Sequence, residues 1–144
     1  MRNLFKLSLV FMVVFLFGCK KEETTTTTSP TTKELITSAA WKVNSYSTTS
    51  TDAEILAEVK SWNDDLKTSP LTVTYKTDGT YSYSDGNDNG TWELSGDKKI
   101  IYGKGTADEI SSTIDKLTSN SFVITYPFEA ADSVVVSITE TCSR

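Results

Sequence analysis

Leu71-Thr72-Val73-Thr74-Tyr75-Lys76-Thr77-Asp78-Gly79-Thr80-Tyr81-Ser82-Tyr83-Ser84 is the stretch that decides the fold. Leu71 to Tyr75 and Tyr81 to Ser84 alternate strictly between large and small polar side chains, the period-two pattern of a strand with one covered face. Between them, Asp78-Gly79 supplies the residue chemistry of a tight hairpin turn. Downstream the unit repeats. Asp85 to Gly90 turns into Thr91-Trp92-Glu93-Leu94, and Ser95 to Lys98 turns into Lys99-Ile100-Ile101-Tyr102. After a loop with Gly103 and Gly105 come strands near Ile110 to Leu117, Ser121 to Tyr126 and Ser133 to Thr139, the last two divided by a turn over Pro127 to Asp132. Upstream, Trp41 to Thr49 is a further strand.

One segment keeps a different period. Ile55, Val59, Trp62 and Leu66 fall four, three and four apart, a helical stripe within Asp52 to Leu66. Thr51 and Glu54 have capping-box spacing at its start, and Ser69-Pro70 stops it because proline cannot continue the hydrogen-bond ladder. The spacing therefore predicts a mainly β domain: a small antiparallel up-and-down barrel of about eight strands, with one helix between the first and second strands. The stripe is expected to lie against the barrel and close one end of it.

The first 33 residues read differently. Arg2 and Lys6 precede an apolar run, Leu7 to Phe17, which is shorter than the roughly 20 residues a spanning helix needs and fits a secretory leader. The run ends in Leu16-Phe17-Gly18-Cys19, which resembles the lipobox of bacterial lipoproteins, with Phe17 where a small residue is usual. That resemblance implies cleavage before Cys19, lipidation of its thiol and acylation, as by palmitate, of the new amino end. An ordinary leader with a coincidental Cys is the competing reading. Lys20 after the Cys implies sorting to the outer membrane. Lys21-Glu22-Glu23 resembles the surface-export signal of Bacteroidetes-type lipoproteins and implies display at the cell surface. Thr24 to Thr32 is nearly all Thr, Ser and Pro and reads as a solvated tether. The expected organisation is a leader over 1–18, a lipidated Cys and tether over 19–33, and a barrel over 34–144.

Composition narrows the function. Loss of residues 1–18 removes Arg2 and Lys6, so Lys+Arg falls from 14 to 12 against 19 Asp+Glu and the formal charge moves from −5 to −7. So acidic a domain repels phosphate backbones, which argues against nucleic acid as a partner. The chain has no His, which removes the usual general base, the usual zinc ligand and every His-activated nucleophile. With Cys19 committed to lipid, Cys142 has no intramolecular partner, and the domain must be held by its core. No catalytic residues and no cofactor are indicated.

The order Ala40-Trp41-Lys42-Val43, Tyr75 to Tyr81, Gly90 to Asp97 and Ile114 to Ile124 resembles the lipocalin-like domains of Bacteroidetes lipoproteins, with Ala39 where lipocalins often carry Gly. The resemblance spans nearly all of the expected domain and implies the barrel, while leaving the activity open.

Two constellations bear on binding. Trp41, Tyr75, Tyr81, Tyr83 and Trp92 are expected on inward faces, either lining a cavity for a small apolar or glycan ligand or filling the core, and the filled core is the simpler reading. Asp85, Asn87 and Asn89 open like a calcium loop, but Gly96 stands where the closing Glu belongs, and the same residues suit a hairpin. Two functions follow from the sequence. One is a membrane-anchored, non-catalytic binding lipoprotein. The other is a solid-barrel lipoprotein that meets a protein partner through its outer face or the 52–66 helix.

Overall fold

A computed structural model describes residues 29–130 and 134–144. The leader, Cys19, the export-like Lys21-Glu22-Glu23 and most of the tether lie outside the described residues. Eight antiparallel strands close into a barrel in sequence order: β1 Trp41–Thr48, β2 Thr72–Tyr75, β3 Thr80–Tyr83, β4 Asn89–Leu94, β5 Lys99–Tyr102, β6 Ile110–Leu117, β7 Ser121–Glu129 and β8 Val135–Ser143. The ring closes through β1 and β8, with Lys42 opposite Ser143 and Thr48 opposite Ile138. Helix α2, Ala53–Thr68, lies between β1 and β2. The expected barrel and its single intervening helix are the observed ones.

The hairpin read first pairs Val73 with Tyr83 and Tyr75 with Tyr81. Asp78 Oδ1 accepts from the Thr80 amide at 2.9 Å, and Gly79 takes φ +86°, a conformation that costs glycine nothing. Gly90 is needed for another reason. It sits opposite Tyr81, and a Cβ there would come within 3.1 Å of the Tyr81 ring.

Three local readings are corrected. The N-cap of α2 is Asp52, whose Oδ1 accepts from Glu54 and Ile55 amides, rather than Thr51. The capping box occurs earlier, where Thr31 and Glu34 bond reciprocally and start a short helix, α1, Thr32–Thr37. The last tether residues thus belong to a helix. Strand β7 runs on through Pro127 to Glu129, because β6 stops pairing at Thr125 and leaves an edge where no amide proton is required.

The two ends of the barrel are built differently. At the lower end, α1 inserts the fully buried Ile36 beside Trp41, whose Nε1 donates to the Ile36 carbonyl at 2.9 Å. The guanidinium of Arg144 lies 3.6 Å from the Trp41 ring centroid and bonds to the carbonyls of Ser119 and Leu35. This end is closed. At the upper end α2 lies across the mouth, with Ile55 and Val59 packed on Ile138, and Trp62 against Tyr46 and Phe128. Among the described residues no helix is long and apolar enough to cross a membrane.

Candidate functional site

A cleft of about 540 Å³ opens between α2 and the barrel mouth. Trp62, Asp65 and Leu66 of α2 form one side, Tyr46, Tyr126 and Phe128 of the barrel another, and Ser69, Pro70, Leu71, Ser84 and Asp85 complete the rim. Its aromatic rings are set at steep angles. Trp62 meets Tyr46 at 73° with centroids 5.6 Å apart and Phe128 at 86° with centroids 5.1 Å apart, edge-to-face arrangements that hold each other in place.

Each wall has a local cause. The α2 stripe turns Trp62 and Leu66 toward the barrel. Tyr126 and Phe128 belong to the inward phase of β7, which also carries the buried Phe122 and Ile124. Tyr46 is inward only because of a bulge between Val43 and Ser45, since strict alternation from Trp41 and Val43 would send it outward. That bulge brings a second tyrosine to the mouth.

A second, smaller space of about 110 Å³ shares Tyr126 and is lined by Tyr81, Tyr83, Tyr102, Ile110, Ile124 and Asp88. Behind Tyr83 lies a group absent from the sequence reading, Glu140, 1 % exposed on the inward face of β8. Its Oε2 accepts from the Tyr83 hydroxyl at 3.0 Å and its Oε1 from the Cys142 thiol at 3.2 Å. Burial pushes the Glu140 carboxyl above the usual carboxylate range, because water no longer solvates the charged form. Burial and the neighbouring Glu140 also push the Cys142 thiol up, so this free cysteine is enclosed and unreactive. Nearby, the Tyr75 and Tyr102 hydroxyls pair at 2.6 Å, while buried Ser112 Oγ has no partner among the described residues.

All five aromatic residues singled out in the sequence point inward, but they separate by depth. Trp41, Tyr75 and Trp92 are buried in the packed core, Trp41 at the closed end, and none lines the α2 cleft. Trp92 Nε1 donates to the carbonyls of Lys76 and Thr80 and so holds the β2–β3 hairpin, and Tyr75 packs on Trp92 and Phe122. These three are structural because the largest rings fill the lower barrel. Tyr81 and Tyr83 border the smaller space at the mouth, while the edge of Trp92 borders a separate surface recess with Lys33 and Thr77 to Gly79.

The turn at Asp85, Asn87 and Asn89 is a hairpin. Asp85 accepts from both the amide and the side chain of Asn87, and Asn89 already belongs to β4, opposite Ser82. Among the described residues no group of three or more His, Cys, Asp or Glu is placed to hold a metal ion.

Sequence reasoning missed Tyr46, Tyr126 and Phe128 on the cleft walls, and Glu140 below them. The inward phase of Ile138, Glu140 and Cys142 was the available signal for Glu140, but the expected strand ended at Thr139. No protein-family model matches this chain, and no curated protein matches it.

Proposed function

We propose that this protein is a lipid-anchored, non-catalytic binding barrel that holds a small apolar or glycan ligand in the cleft beneath α2. The observation that carries the reading is the cleft itself. Its volume lies within the range of small-molecule sites, its walls are aromatic, and it sits at the one barrel end that is not plugged. The core below is packed, so the ligand enters the mouth and stays above Tyr75 and Trp92.

The leader reading supplies the location: Cys19 acylated, the outer membrane as destination, and the outer surface as the side displayed. The described residues begin beside α1, at the closed end of the barrel and opposite the cleft. The reading with a partner protein on α2 draws less support, because Ile55 and Val59 are buried against the barrel and Trp62 is packed there too.

Titration with Nile red, an uncharged apolar probe, tests the reading. One saturable site per chain supports it, and the absence of saturable binding rejects it.

A further inference from the structure

Resting on that reading, we infer that the ligand of the α2 cleft is a cation: an organic ammonium ion carried on an apolar body. Both charged side chains that line the cleft, Asp65 and Asp85, are acidic, and the smaller space adds a third, Asp88. Among the described residues no Lys or Arg lines either space, and none of these three carboxylates has a salt-bridge partner. The nearest lysines of α2 are held elsewhere, since Lys60 and Lys67 both bind Asp64, at 2.5 and 2.6 Å.

The aromatic walls point the same way. Tyr46, Trp62 and Phe128 meet at steep angles and form a corner of rings rather than one flat platform. An ammonium head within about 6 Å of such rings is attracted by their quadrupoles, most strongly by Trp. Asp65 and Asp85 are exposed at the rim, so their Coulomb attraction acts through solvent and is strongest at low salt. An anionic amphiphile, by contrast, would lose its water against Asp65 and Asp85 with no cation to replace it.

The test compares three probes of equal chain length, octylammonium, octanol and octanoate, by calorimetry on the purified full chain at low salt. The expected order is octylammonium about tenfold tighter than octanol, with octanoate weakest. Asp65→Asn with Asp85→Asn should bring octylammonium down to the affinity that octanol shows for the same variant. Glu58→Gln with Asp97→Asn changes net charge equally, away from the cleft, and should leave the preference in place. Equal binding of octylammonium and octanol by the unaltered chain overturns the inference and leaves the cleft as an apolar site. A preference that survives loss of Asp65 and Asp85 also overturns it. Failure of all three probes rejects the binding reading itself.

Discussion

The side chain of Asn63 pairs with both backbone polar groups of Tyr46: its Oδ1 accepts from the Tyr46 amide and its Nδ2 donates to the Tyr46 carbonyl, each at 2.8 Å. The pairing occurs where β1 has outrun its neighbour, for β2 meets β1 only at Trp41 and Lys42. The Val43 amide still donates to the Leu71 carbonyl at 2.9 Å, but past it the β1 edge has no strand beside it and a helix side chain takes that place. The same two bonds fix α2 over the mouth and set the position of Tyr46 in the cleft.

Asn63→Ala should lower stability by roughly 1–3 kcal/mol, because two backbone groups lose their partners beneath the helix. Asn63→Asp should not restore it, since a carboxylate has no donor for the Tyr46 carbonyl. Urea unfolding checks this. Midpoints equal to that of the unaltered chain would show that α2 is held by its apolar stripe alone.

Glu140 gives a pH dependence with a definite sign. Its carboxyl is raised above the ordinary 4.5 in the folded state, so the folded chain holds the proton more tightly than the unfolded chain. The resulting stabilisation is complete below that ordinary value and is lost as pH rises through the folded value. Glu140→Gln keeps an acceptor for Tyr83 and cannot ionise. Across that window the variant should gain on the unaltered chain by up to about 1.4 kcal/mol per pH unit. Stability profiles that stay parallel as pH rises above the ordinary carboxyl value of 4.5 would contradict the assignment.

Arg144 closes the lower end by covering the Trp41 ring and bonding to two carbonyls. Arg144→Ala should cost about 1–2 kcal/mol, and Arg144→Lys should recover little of it, because an ammonium lacks the planar fork. Thermal unfolding of both variants decides. Full recovery by Lys would mean that charge alone matters there.

Anchoring rests on one thiol. Cys19→Ala should abolish metabolic lipid labelling and leave an uncleaved precursor. Unchanged labelling and mobility would reject the lipoprotein reading.

The strand and helix pattern was legible because it is local. Asp78-Gly79 forces a turn, Tyr81 and Tyr83 share a face by period, and the stripe from Ile55 to Leu66 can lie on only one side of a helix. The cleft was not legible, because it depends on breaks in those periods. The bulge after Val43 reverses the phase of Tyr46, and Pro127 reads as a turn until the short reach of β6 is known. Depth was hidden too. Trp41 and Tyr83 have the same inward phase, yet one is sealed beneath Arg144 and the other borders a cavity, a difference set by which barrel end each approaches.

The central claim is that the space beneath α2 is the binding site. Ser69 lies on the rim of that cleft and its side chain is exposed, so Ser69→Trp places a large ring in the cleft without disturbing the core. The decisive measurement is Nile red binding by the unaltered chain and by Ser69→Trp, with thermal unfolding as the control for folding. The expected result is one saturable site in the unaltered chain and its loss in a variant that melts at the same temperature. Equal affinity in the two proteins would contradict it.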